Sequence, residues 1–158
     1  MTERCRCGQE TALRILRQAL VRRREVGDRH GEAVTLYLIA RVLVAQGRHG
    51  DAVACNQQSA TLYSGLGARW GLATSLSSLG EAYCHLGRQE QAEATLHHAL
   101  VLCRELDHRR LEADTLTRLG MLRSRQGRHQ QASATTRRRL RFAVGSMTGL
   151  AKPPPCGI

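Results

Sequence analysis

The chain repeats itself with a period of 40 residues, and this feature constrains its fold more than any other. Gly47, Gly87 and Gly127 are 40 residues apart, and an Arg follows each of them. Six further columns keep the same register. Their members are Ala12, Ala52, Ala92 and Ala132; Ala33, Ala73 and Ala113; Leu36, Leu76 and Leu116; Ile39, Leu79 and Leu119; Ala40, Gly80 and Gly120; and Val26, Leu66 and Leu106. Self-similarity at a fixed period of this length is typical of a repeat array.

Each unit has the apolar spacing of two helices separated by a glycine turn. First helices are predicted at 31–46, 71–86 and 111–126, and second helices near 9–26, 49–66, 89–106 and 129–143. A single helix pair cannot bury both of its faces, so successive pairs have to stack. The sequence therefore predicts an all-α, right-handed α-solenoid of stacked antiparallel helix pairs, with about seven helices.

The organisation of the chain follows from the register. We expect a flexible N-terminus over 1–8 and a helical array over 9–144, made of a half repeat at 9–30 and repeats at 31–70, 71–110 and 111–144. Residues 145–158 contain three consecutive Pro and have no periodicity, so we expect a disordered tail. The array begins with a second helix, as a piece of a longer array would. The last helix carries four Arg and is either a polar cap or a degenerate end.

The repeated residues resemble the tetratricopeptide repeat, over about residues 9–140. The middle unit matches the family pattern most closely, at Leu76, Leu79, Gly80, Tyr83, Ala92, Leu96 and Ala99. The third unit departs from it at Arg123, Thr136 and Arg139, and the first unit at Asn56 and Ser59. The family's usual period is 34 residues. Units of 40 residues resemble those of kinesin light chains, bacterial signalling ATPases and actinobacterial antibiotic-regulatory transcription factors, and the segments GDRHGEA and LGEAYCHLGR fit the last group best.

The resemblance implies a non-catalytic module of a cytoplasmic bacterial regulator, which binds a protein or peptide in a concave groove lined by the first helices. Neighbouring domains of a longer chain are possible further partners. By register the groove positions are Tyr37, Arg41, Thr74, Ser77, Glu81, His85, Asp114, Thr117, Met121 and Arg125. Their mixed charges and hydroxyls suit an extended polar peptide. The alternative is that these are ordinary solvated helix positions.

The net charge of +11 raises a second hypothesis, an Arg-rich nucleic-acid-binding module. The clusters at 22–24 and 137–141 would contact phosphates. However, no aromatic residues interleave with them for base stacking. Residues 31–128 hold eleven Arg and nine acidic residues, so the excess charge lies in the flanks of the array. Nucleic acid is therefore the less favoured partner.

The sequence contains no motif of catalysis or of cofactor binding. A phosphate loop, G-x-S-x-G and H-E-x-x-H are all missing, so we expect no enzyme, no cofactor and no metal. Cys55, Cys84 and Cys103 lie within helical patterns as small apolar residues. Cys5 and Cys7 form only a C-x-C pair, and neither their role nor that of Cys156 follows from the pattern. No apolar run approaches the roughly 20 residues that span a bilayer.

Overall fold

The computed structural model describes the backbone of residues 3–147 and the side chains of residues 8–127 and 130. Every element in the described part is an α-helix. The helices are α1 Glu3–Glu25, α2 Arg29–Ala45, α3 His49–Gly65, α4 Arg69–His85, α5 Gln89–Glu105 and α6 Arg109–Met147. The predicted first helices correspond to α2, α4 and the start of α6, and the first three predicted second helices correspond to α1, α3 and α5. The all-α prediction is confirmed.

The turns between helices recur every 20 residues, which is half the repeat. Gly27, Gly47, Gly67 and Gly87 all adopt φ between +64° and +75°. At the second of these turns the Gly47 N–H bonds to Val44 O and the Arg48 N–H bonds to Leu43 O. This is the Schellman arrangement, which satisfies the last carbonyls of a helix and needs a left-handed residue after the cap. The sequence reasoning identified only every second glycine of this series.

Asp107 occupies the fifth turn and has a φ of 49°, the only positive value among the described non-glycine residues. Its neighbours make the same bonds, with the His108 N–H donating to Cys103 O at 2.9 Å. Asp tolerates the left-handed region better than most residues, but a Cβ atom is still unfavourable there. The hydrogen bonds of the turn therefore impose the left-handed conformation on Asp107, against the intrinsic preference of this residue.

Asp107→Gly is expected to raise the free energy of unfolding by up to about 1 kcal/mol, because the left-handed strain is removed. The Asp107 carboxylate contributes little in return, since its ion pair with Arg109 is exposed on both sides. Gly87→Ala, with the opposite change at a φ of 73°, is expected to lower stability by about 1 kcal/mol or more. Urea unfolding monitored by circular dichroism measures both. If both substitutions change the free energy of unfolding in the same direction, this explanation of the turns is contradicted.

The helices pack in chain order within a first compact unit that extends to Leu122. α2 packs on α1 and α3, α4 packs on α3 and α5, and α2 also touches α4. α6 joins this series through hydrogen bonds from its first turns to α4 and α5. Three-residue turns make each neighbour antiparallel, so consecutive pairs stack as in an α-solenoid. The predicted fold class is confirmed in this respect.

Small residues allow the close approach of paired helices. Ala33, Ala52, Ala73 and Ala92 are completely buried. The approach is close at Gly80, where a Cβ atom would lie 2.5 Å from Leu96 Cγ and 2.6 Å from Leu96 Cδ2. Leu96 itself is fully buried. The small column inferred from the sequence is therefore a helix–helix contact in the middle repeat.

A buried polar network occupies the sites where the first unit departs from the family pattern. The Ser59 hydroxyl lies 2.8 Å from Ala33 O in α2 and 2.9 Å from Ser75 Oγ in α4. Asn56 Nδ2 donates to Ser78 Oγ at 3.1 Å. Buried polar groups are costly unless they are hydrogen-bonded. The network therefore specifies one register of α3 relative to both of its neighbours, although Asn56 Oδ1 is buried without a hydrogen-bond partner among the described residues.

α6 differs from the prediction, because it continues through Gly127 as one helix of 39 residues. The expected turn at 127 and the separate helix at 129–143 are absent, so the described residues form six helices. A turn is stabilised when the following helix buries an apolar face. In the sequence, Thr136 and Arg139 stand where the family has an apolar residue and Ala, so folding back would gain little. A second unit begins at Arg123.

The predictions for the two ends of the chain have different outcomes. α1 begins at Glu3, earlier than the predicted start near residue 9. The expected disordered tail at 145–158 lies outside the described residues from 148 onward. None of the described helices has the length and apolar character needed to cross a bilayer.

Candidate partner-binding face

The predicted groove residues of the first unit lie on α2, α4 and the start of α6, but they differ in how accessible they are. Those that are exposed are Arg41, His85, Asp114, Thr117 and Met121. Those that are half-buried are Tyr37, Thr74 and Glu81. Ser77 is only 1% exposed. Arg125 is exposed and belongs to the second unit.

Ser77 is a packing residue between α4 and α6. Its hydroxyl lies 3.0 Å from Thr115 Oγ1, and Arg118 Nη1 donates to it at 3.1 Å. Arg118 also donates from Nε to Glu81 Oε2 at 3.0 Å. The prediction of Ser77 as an accessible groove residue therefore needs correction, since its polar atom is already used in the contact between repeats. Arg118, which was not singled out from the sequence, links two of the predicted positions.

The α2 part of the face combines a cation, an aromatic ring and an apolar side chain. The Arg41 guanidinium lies 5.9 Å from the centre of the Tyr37 ring, in a cation–π contact. Leu38 is 37% exposed beside them. Arg41 follows Tyr37 by four residues and Leu38 by three, so its side chain neighbours both of them on the helix surface. Among the described side chains, no carboxylate forms an ion pair with Arg41. Leu38 was missed because the register analysis did not include the column of positions 38, 78 and 118.

His85 lies at the end of α4 and stacks on His49 of α3. The two ring centroids are 4.3 Å apart, and the planes differ by 6°. His49 Nδ1 is buried without a hydrogen-bond partner in the described structure. Stacked parallel rings do not direct their nitrogen lone pairs at a common point, so this pair is not arranged as metal ligands.

The α6 part of the face offers a short polar and apolar surface. The Thr117 hydroxyl donates to Ala113 O at 2.9 Å, which leaves its oxygen free to accept. Met121 is 51% exposed. An exposed flexible thioether is a common feature of adaptable binding surfaces.

A shallow cleft between α2 and α3 was not anticipated from the sequence. It has a volume of about 390 Å³ and is lined mainly by Gln57, Gln58 and Leu62 of α3, with Glu32 and Leu36 of α2 below. The Glu32 carboxylate is paired with Arg24 at 2.7 Å and Arg29 at 3.7 Å. Glu32 is the only charged residue that lines the cleft, and its charge is thus already neutralised within the protein.

The first Arg cluster takes part in intramolecular ion pairs. Arg23 lies 3.9 Å from Asp28, and Arg24 lies 2.7 Å from Glu32 across the turn between α1 and α2. The Arg104–Glu112 pair at 2.8 Å is the equivalent of the Arg24–Glu32 pair two repeats later. Two of the three Arg at 22–24 therefore have a role in joining helices. The side chains of the cluster at 137–141 lie outside the described residues.

The cysteines within the array are apolar packing residues. Cys55, Cys84 and Cys103 form no disulfide in the described structure, and Cys103 is fully buried. Burial raises the pKa of the Cys55 and Cys103 thiols above their usual value, which disfavours the reactive thiolate. The described residues contain no group of His, Cys, Asp or Glu that could hold a metal ion. Cys5, Cys7 and Cys156 lie outside the described side chains.

Antiparallel helix pairs stack here, and the first helices share a face of accessible side chains. This arrangement defines an α-helical repeat protein of the scaffold class. The tetratricopeptide repeat model matches residues 4–64 and 71–143. The chain therefore belongs to the tetratricopeptide repeat family, as its sequence pattern indicated. A comparison with curated proteins finds no significant match. Repeats of this family typically mediate protein–protein interaction and are generally non-catalytic.

Proposed function

We propose that the face formed by α2, α4 and the start of α6 binds an extended segment of a partner protein. The observation that carries this proposal is the arrangement on α2, where Arg41 has no ion pair among the described side chains and lies over Tyr37 next to exposed Leu38. An Arg held over an aromatic ring presents its fork of N–H donors to a carboxylate. The neighbouring Leu38 would contact an apolar side chain of the same segment.

The proposed ligand is therefore a segment with an acidic residue close to an apolar residue. Farther along the face, the Thr117 oxygen and the Met121 side chain add one polar and one adaptable apolar contact. A mixture of this kind is typical of interfaces that are not permanently assembled. We further propose, from the resemblance of the repeats, that the module acts in the cytoplasm as part of a bacterial transcriptional or signalling regulator.

A random-peptide display selection against the whole chain tests this function. We expect enriched peptides to share Asp or Glu near Leu, Ile or Phe. Arg41→Ala is expected to weaken their binding by roughly tenfold or more, since hydrogen bonds to charged groups contribute about 1.5–3 kcal/mol. Tyr37→Ala should also weaken it, because the ring holds the guanidinium. Titration calorimetry measures both affinities.

Arg14→Ala is the matched control, because it removes an exposed Arg from α1, outside the face. Its peptide affinity should equal that of the parent chain. The proposal is wrong if enriched peptides bind Arg41→Ala, Tyr37→Ala and the parent chain equally well. A random-sequence DNA duplex tests the nucleic-acid hypothesis separately, and binding that disappears between low and moderate salt would favour that alternative.

A further inference from the structure

Part of the surface of α6 has the composition of a buried helix contact but is exposed. We define the acceptor face as Ala113, Leu116 and Gly120. Leu116 is 45% exposed, and nothing lies within 4 Å of a Cβ atom built at Gly120. The residues 40 positions earlier are Ala73, Leu76 and Gly80, which are identical in type and are all buried. At Gly80 the covering side chain is Leu96 of α5. The acceptor face is therefore a first-helix surface without its second helix.

The complementary surface lies on α1. We define the donor face by its four residues, which are Ala12, Leu16, Ala19 and Leu20, and all four are half-buried. In α5 the same columns hold Ala92, Leu96, Ala99 and Leu100, again identical in type, and there the exposed fractions do not exceed 5%. Among the described helices, α1 packs on α2. In the described structure, no first helix covers the donor face in the way that α4 covers the same columns of α5.

The α4–α5 pair shows how such faces fit together. Leu96 lies over the backbone of Gly80, at the close approach described above. By register, Leu16 corresponds to Leu96, and Gly120 corresponds to Gly80. The α2–α3 pair is built differently, with Ala40 in the small column and Asn56 in the column of Leu96. Among the second helices α1, α3 and α5, only α1 and α5 carry the Ala, Leu, Ala, Leu set, and α5 is already occupied by α4.

We propose that α1 of a second copy of this chain packs on α6, with Leu16 of one copy over Gly120 of the other. The new pair would reproduce the α4–α5 contact and continue the stacking of helices from one molecule to the next. Because the two faces are different, the contact is head-to-tail and leaves a free donor face and a free acceptor face after each addition. Such heterologous contacts produce rings if the rotation closes and open chains if it does not. This inference does not depend on the proposed peptide-binding function.

The experiment uses sedimentation velocity of the whole chain over a concentration series, in reducing buffer. We expect concentration-dependent assembly of the parent chain. Gly120→Leu should abolish it, because the new side chain fills the space that Leu16 of the other copy would enter. It should leave the isolated chain folded, since that space is empty within the chain. Leu16→Glu should abolish assembly from the other side, and circular dichroism verifies that its helices are retained.

A mixture of the two variants is the decisive test of whether the donor face of one copy binds the acceptor face of another. Gly120→Leu keeps an intact donor face, and Leu16→Glu keeps an intact acceptor face. Mixed together, they should form one junction and stop at a 1:1 dimer with twice the mass of the chain. The proposal is overturned if the parent chain remains monomeric at all soluble concentrations. It is equally overturned if either variant alone assembles like the parent, or if the mixture forms no dimer.

Discussion

Gly80→Leu is expected to lower the free energy of unfolding by more than about 3 kcal/mol, beyond the usual range for overpacking. The reason is the distance of 2.5 Å between a Cβ atom at this position and Leu96 Cγ. Cγ is the branching atom of a fully buried side chain, so Leu96 cannot turn away without displacing its own neighbours. The α4 and α5 backbones would have to separate, and every contact along the pair would weaken.

Urea unfolding monitored by circular dichroism measures this loss. Gly120→Leu is the matched control, because it makes the same change in the equivalent column where no atom lies within 4 Å. In a dilute solution it should keep or raise stability by up to about 1 kcal/mol, since Leu favours a helix more than Gly does. Similar losses at 80 and 120 would show that helix propensity or a general effect, and not the close approach, explains the result.

Leu96→Ala is expected to cost about 2–5 kcal/mol, as a buried large-to-small substitution does. Leu96 is among the largest fully buried side chains and belongs to the hydrophobic core cluster that includes Leu79, Tyr83 and Leu100. Replacing its isobutyl side chain by a methyl group leaves a cavity against Gly80. The same unfolding measurement gives the loss, and Leu66→Ala is the control because Leu66 is 46% exposed. A control loss as large as that at Leu96 would contradict the assignment of the core.

The two central predictions are linked through one contact, which a double-mutant cycle can test. With Leu96 shortened to Ala, a Cβ atom at Gly80 no longer meets a branched side chain. Gly80→Ala should then cost less in the Leu96→Ala background than in the parent chain. A coupling energy of about 0.5–3 kcal/mol is typical of residues in direct contact. Simple additivity would mean that the two positions do not touch.

The sequence predicted the helix pairs well because their signals are local. The apolar columns specify which side of each helix faces inward, and the glycines specify where the chain turns. Predicted helices such as 71–86 and 89–106 agree closely with α4 Arg69–His85 and α5 Gln89–Glu105. The turn at Asp107 lies in the gap between the predicted helices 89–106 and 111–126, although the residue itself is not a glycine. Its positive φ followed only from the geometry of the turn.

The candidate face was predicted less completely, because helical register gives an angle around the axis but not the distance to the next helix. Ser77 has the right angle for a groove residue, yet Thr115 and Arg118 of α6 cover it. Conversely, Leu38 is exposed beside Tyr37 and Arg41, although its apolar type suggested no such position. The approach of α6 to α4 decides between these outcomes, and it depends on many residues at once.

The sequence by itself determined the class of fold, the family pattern and the places where most helices turn, because these depend on short-range spacing. Only the tertiary structure decided whether each predicted surface meets a partner. Gly127 has the sequence of a turn but lies within α6, since the residues that follow it carry too few apolar groups to reward folding back. Gly80 and Gly120 occupy the same column, yet one is buried under Leu96 and the other is open. Identical residues differ here because burial is a property of the neighbouring helix, which a local pattern does not contain.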